Sequence, residues 1–194
     1  MKNSKKQLLL IVSFLLSFLG FSQQTHEVAG VAIQESITYG EEELSYNGSG
    51  IREKLWFDLY VGVLYLQEKS NDAAAIVASE KPMAIRLHIL SSMISKKKLM
   101  SAFKDGIQMA NSEEQVMKHL QQTNKFLSFV KDEVKVGDIF DFVALPEGKG
   151  MQLYRDGILL GSVEGREFKE LMFNIWLSQT SVDKDLKEGM LGIN

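Results

Sequence analysis

Gly48-Ser49-Gly50-Ile51-Arg52, followed by Leu55-Trp56-Phe57-Asp58-Leu59-Tyr60-Val61-Gly62-Val63-Leu64-Tyr65-Leu66, is the stretch on which the reading of this chain turns. The paired glycines read as a glycine-flanked turn that delivers one arginine into an apolar, aromatic run. Residues 51–66 hold too many β-branched and aromatic side chains, and too little 3.6-residue periodicity, for a helix. They read as one or two strands, buried on both faces at the centre. Arg52 is then either a strand-end surface residue paired with an acid such as Glu53, or a fixed cation inside a cavity. A cavity arginine requires an anionic ligand or a neighbouring acid, because an unpaired buried charge is strongly destabilising. Guanidinium suits a carboxylate through its planar two-donor fork.

Outward from this stretch, residues 28–39 read as a strand, with Val31, Ile33, Ile37 and Tyr39 among its apolar positions. Glu41-Glu42-Glu43 marks a solvated turn, and residues 44–47 a short extended piece ended by the glycines. Residues 71–79 are alanine-rich and helical, capped by Asn71 or Asp72 and stopped by Pro82. Residues 83–90 alternate, with Ile85, Leu87 and Ile89 on one face and Arg86, His88 and Leu90 on the other.

The period then changes. Leu99, Phe103 and Ile107 lie four apart behind a Ser95 cap and form one helical stripe. A second helix starts near Ser112, with Glu113, Glu114 and Gln115 in its first turn and a stripe of Val116, Leu120, Thr123, Leu127 and Val130. Residues 139–145, 151–154 and 158–163 are strands, the last two joined by Arg155-Asp156-Gly157, a hairpin signal. Phe168, Leu171, Met172, Ile175 and Trp176 make the most regular amphipathic helix, and residues 182–190 a short terminal one with Asp183 near its start. Hairpin and meander connections with helices on one face define an α+β class, and the sheet–helix boundary is a natural place for a ligand cleft.

The motifs Gly48-x-Gly50-Ile51-Arg52 and Tyr60-Val61-Gly62-Val63-Leu64-Tyr65-Leu66 resemble the opening of a chalcone-isomerase-fold domain. Asp156-Gly157-x-x-Leu160-Gly161-x-x-x-Gly165-x-x-Phe168, Ile175-Trp176-Leu177 and Val182-Asp183-x-x-Leu186-Lys187-x-Gly189-Met190-Leu191-Gly192 resemble the C-terminal half of the bacterial chalcone-isomerase-like proteins. The resemblance spans residues 28–192. It implies an open-faced β-sandwich, a large antiparallel sheet covered on one face by helices. Plant members cyclise chalcones by attack of a phenolate on an enone, and non-catalytic relatives bind fatty acids.

Carried over position by position, the family arginine matches Arg52. In the isomerases it steadies the phenolate and the developing enolate; in the fatty-acid binders, with a tyrosine, it holds the carboxylate. The isomerases' threonine falls on Tyr60, their tyrosine on Lys98, their asparagine on Asp105 and their later hydroxyl residue on Asn174. One of five positions is retained, and Tyr60 suits a carboxylate binder better than an isomerase. Each also has a plainer reading: Tyr60 as a core aromatic, Lys98 and Asp105 as a solvated helix face, Asn174 as an exposed polar residue. Lys98 and Asp105 are seven apart and share a face in either case.

Composition bounds the rest. Lys2, Lys5 and Lys6 precede a 13-residue apolar-to-small run at 8–20, and Gly20 and Ser22 fit a cleavage site after Ser22. Residues 1–22 therefore read as a secretory signal peptide and residues 23–194 as one domain. The run is shorter than the ~20 residues a membrane-spanning helix needs, so no stable membrane insertion is expected after cleavage. Without the leader, 19 basic residues face 25 acidic ones, which argues against nucleic acid or an anionic membrane as partner, since both need clustered cations. The chain has no cysteine, and His26, His88 and His119 lie far apart, so neither a metal site nor another cofactor is expected. The expectation is an exported protein, periplasmic or secreted, that binds a small amphipathic carboxylate or phenolic ligand such as a fatty acid. The alternative is an isomerase, an intramolecular lyase of the chalcone-isomerase type, with Arg52 and Tyr60 as its catalytic residues.

Overall fold

Two residues that are neither glycine nor asparagine carry the main chain change of direction in the first half. Leu55 and Trp56 have φ of 51° and 71°, and they join strand β4 (Glu42–Lys54) to β5 (Phe57–Leu66). This is the two-residue hairpin geometry that normally takes Asn-Gly, and left-handed backbone costs a side-chain-bearing residue about 1–2 kcal/mol. The computed structural model describes residues 25–193; the expected signal peptide lies outside them.

Four smaller strands and their connections complete the first half and centre of the sheet: β1 (Thr25–Val28), β2 (Val31–Gln34), β3 (Ser36–Tyr39) and β6 (Met83–Ile89). Strands β7 (Ile139–Ala144), β8 (Met151–Arg155) and β9 (Ile158–Val163) follow. Strands β3 to β9 form one seven-stranded sheet in chain order, and every neighbouring pair is antiparallel. The helices are α1 (Ala73–Ala78), α2 (Lys96–Ala110), α3 (Glu113–Lys118), α4 (Leu120–Leu127), α5 (Arg166–Leu177) and α6 (Lys184–Met190). Their caps follow the sequence: the side chains of Asp72, Ser95, Ser112 and Asp183 each accept from a backbone N–H of the first turn.

The sheet has two cores. On the helical side Tyr60, Leu64, Ile85, Leu87, Phe140 and Phe142 pack against Leu99, Phe103, Phe168, Ile175 and Trp176. On the opposite side Val61, Val63, Tyr65 and Ala84 pack against Ile33, Ile37 and Leu44. The β1–β2 hairpin lies over this second face. Arg86 pins it there, donating from Nε to Asp141 Oδ1 (2.6 Å) and from Nη1 to Gln34 Oε1 (2.6 Å). Asp141 is 1% exposed, so this pair is a buried one that removal of either partner would leave uncompensated.

Four expectations change. Gly48-Ser49-Gly50 is no turn; it lies inside the continuous strand β4. The glycines are there because α6 packs its backbone directly on the strand. A Cβ on Gly48 would meet the Gly189 carbonyl within bonding repulsion and lie 2.7 Å from the Met190 oxygen; one on Gly189 would lie 2.9 Å from the Gly50 Cα. The start of the apolar run is not buried: Leu55 and Trp56 are the turn, and Phe57 after them is exposed. Residues 28–39 are three short strands, because Ala29 and Gly30, both with positive φ, turn the chain after β1. The second long helix breaks at His119, which closes α3 and opens α4 with its ring buried against Gln122 (2.6 Å).

Gly48→Ala is expected to lower the unfolding free energy by about 2 kcal/mol or more, because backbone rather than a flexible side chain blocks the added methyl; urea denaturation reads the loss. A pH dependence comes from the second face. Burial, followed by the nearby Arg86 charge, pushes the His88 imidazole down to about 4. His88 therefore stays neutral in the fold while the unfolded chain takes up a proton below about pH 6.5. Its stabilising share is complete above that pH and is lost as pH falls toward 4. Urea midpoints of wild type and His88→Gln across this window should converge at acid pH.

Candidate functional site

Arg52 and Tyr60 are direct partners across the β4–β5 ladder. Just beyond them the register shifts, so that Glu53 faces Asp58 and Leu59 has no partner in β4. Such a bulge re-aims side chains. The Leu59 carbonyl accepts instead from the backbone N–H groups of Leu90 and Ser91. Gly62 lies opposite Gly50, and a Cβ on it would lie 2.7 Å from the Met190 terminal methyl. Small residues at 48, 50 and 62 thus let α6 settle into the sheet, and its N-cap, Asp183, comes down on Arg52.

Asp183 does two jobs at that point. Its Oδ1 accepts from the Leu186 N–H and caps α6, while its Oδ2 accepts from Arg52 Nη1 at 2.7 Å. The arginine and aspartate side chains are only 25% and 15% exposed. Arg52 Nη1 also reaches the Glu53 carbonyl, while Nε and Nη2 have no partner among the described residues. The cation is therefore partly buried and neutralised by an acid of the same chain.

The Tyr60 hydroxyl accepts a hydrogen bond from Trp176 Nε1 at 3.2 Å. Burial pushes its phenol up to about 12, against the opposing effects of that bond and the Arg52 charge. It is a neutral donor at physiological pH, and its own proton has no acceptor among the described residues.

A cleft of about 400 Å³ opens beside Tyr60 between the β4–β5 hairpin and α2, with walls of Leu55, Leu59, Met93, Ile94, Leu99 and Ala102. Lys54, Lys98, Ser101 and Asp105 supply its polar lining. A smaller cavity of about 50 Å³ lies further in, bounded by Tyr60, Leu87, Phe103, Ile175, Trp176 and Val182. Tyr60, Leu99 and Ala102 line both spaces, so they share a wall.

The structure thus brings Tyr60, Lys98 and Asp105 to one cleft. Arg52 lines neither space; it stands beside Tyr60 on the next strand, close enough for its charge to act on the phenol. Asn174 is elsewhere, donating to Asn111 Oδ1 at 2.9 Å where α5 meets the end of α2. Two participants were not singled out from sequence. Trp176 read as core stripe, and Asp183 as a helix start. The Val182-Asp183 pair within the C-terminal motif was the available signal for the latter. Among the described residues no cluster of three or more His, Cys, Asp or Glu could hold a metal ion. No helix of the described residues is long and apolar enough to cross a membrane.

A meander sheet roofed by helices, with a cleft at their boundary, defines an α+β architecture of the open-faced sandwich type. The chalcone isomerase-like family model matches residues 25–192, and the chain belongs to that family. Among solved structures it is similar to a fatty-acid binding protein of Arabidopsis thaliana. That match has a TM-score of 0.67 at 18% identity and covers 87% of this chain and 96% of the other. No curated protein matches the chain.

Arg52→Ala would leave Asp183 partly buried without its cation and should lower stability by about 1.5–3 kcal/mol. Asp183→Asn, which keeps a side-chain cap for α6, should cost less. Chemical denaturation of the two variants side by side checks the order.

Proposed function

We propose that this is an exported binding protein, periplasmic or secreted, that holds a small amphipathic anion such as a fatty acid in the sheet–helix cleft without transforming it. The observation that carries the reading is the apolar cleft with a buried, neutral, acceptor-seeking phenol in its wall and a cation directly behind that phenol. The acyl chain would lie along Leu55, Leu59, Ile94 and Leu99. The Tyr60 hydroxyl would donate to the carboxylate, with the unengaged Nε and Nη2 of Arg52 completing a charge-assisted pair as the ligand shares or displaces Asp183. Lys54 and Lys98 favour entry of an anion, and Asp105 orients a polar end if the ligand carries one. Asn174, held by Asn111, has no part in this arrangement. The cleft volume falls within the range of small-molecule sites, and the similarity in fold to a plant fatty-acid binding protein supports the choice of ligand.

The isomerase alternative asks Arg52 to present uncompensated charge to a developing oxyanion in a dry site. Its pairing with Asp183 at 2.7 Å favours the binder. Delipidated protein incubated with a long-chain fatty acid should form a one-to-one complex in native mass spectrometry at micromolar concentration. Arg52→Ala and Tyr60→Phe should each weaken it about tenfold, or about 1.4 kcal/mol. Chalcone cyclisation should run no faster than the spontaneous reaction. Absence of any carboxylate uptake well above micromolar would overturn the reading.

A further inference from the structure

The β4–β5 turn exposes what a soluble surface usually hides. Trp56 is 97% exposed and Leu55 74%, and both hold left-handed backbone that Asn or Gly would adopt without strain. Neither fold nor turn geometry asks for these residues. Phe57, half exposed, follows them, and Met93, also exposed, lines the same cleft as Leu55. Leu55 is at once the tip of the hairpin and a wall of the cleft.

Charge around the tip is mixed. Lys54, which precedes the turn, and Lys98 line the cleft together with Asp105, and exposed Lys97 stands next to Lys98. Glu53 and Asp58 face each other one step behind the tip. An indole and aliphatic side chains projecting among lysines have the chemistry of a bilayer interface, where the rings sit at headgroup level and the ammonium groups meet anionic headgroups. A second copy of the chain is a poorer fit, since the same lysines would repel each other across a protruding tip. The negative charge of the chain as a whole keeps other faces off such a surface.

We propose that the Leu55-Trp56-Phe57 hairpin tip docks transiently on the surface of a lipid bilayer bearing anionic headgroups. It would open the cleft toward the lipid, so that an amphipathic ligand enters without crossing water. The route of entry rests on the binding function proposed above; the docking itself does not.

The full-length mature chain is mixed with vesicles of phosphatidylcholine alone, or of equal parts phosphatidylcholine and phosphatidylglycerol. With the anionic vesicles the protein co-sediments and its tryptophan emission moves to the blue. Trp176 is already buried, so Trp56 reports the change. Trp56→Asn, which suits the left-handed backbone and so preserves the fold, lowers the bound fraction about tenfold. It leaves equilibrium uptake of free fatty acid unchanged, because Trp56 is no part of the cleft wall, but slows transfer of fatty acid from vesicles. No sedimentation and no blue shift with anionic vesicles overturns the proposal. So does equal binding by Trp56→Asn, or self-association that Trp56→Asn abolishes without any vesicle binding. Vesicle docking in a chain that takes up no carboxylate supports the docking and removes the binder reading; normal uptake without docking does the reverse.

Discussion

The contact on which the site depends is between two backbones. Helix α6 lies on strand β4 so closely that Gly48, Gly50 and Gly189 have no room for a Cβ. Side chains elsewhere keep a helix and a sheet about 10 Å apart, roughly the spacing of packed layers. Here their removal brings the helix start down to the sheet. Asp183 then reaches Arg52, and Val182 closes the inner cavity beside Trp176. A larger residue at any of the three glycines would lift the helix and separate the ion pair before touching any ligand-facing group.

Polar groups are treated differently on the two faces of the sheet. On the outer face Arg86 and Asp141 satisfy each other and Gln34, and the result is a fastening for the β1–β2 hairpin. On the helical face Arg52 has two guanidinium nitrogens, and Tyr60 a proton, with no partner among the described residues. The outer face also holds His88 Nε2, buried without a hydrogen-bond partner among the described residues, at a cost that the fold must offset.

Several features were legible in the chain. Alternation in Ile85, Leu87 and Ile89 against Arg86 and His88 correctly separates the two faces of β6, because strand periodicity is local. Asp72, Ser95 and Ser112 cap helices as their type and place suggest. The seven-residue spacing of Lys98 and Asp105 puts both on the cleft. Where the reading failed, a distant partner decided. Gly48 and Gly50 look the same in sequence whether they make a turn or admit a helix from 140 residues away. Leu55 and Trp56 look like core until the hairpin places them at its tip. Asp183 looks only like a cap, because its second partner is 131 positions distant.

The alternation of strand and helix regions from β6 onward, the α+β class, the helix caps and the motif pattern of the family follow from the sequence itself. Each depends on residue type and on neighbours a few positions away. The tertiary structure decided which charge neutralises Arg52, that Trp176 meets Tyr60, that a second core lies under the β1–β2 hairpin, and where the cleft opens. Those outcomes depend on distances between segments far apart in the chain, which are set only when the backbone of α6 closes on the glycines of β4.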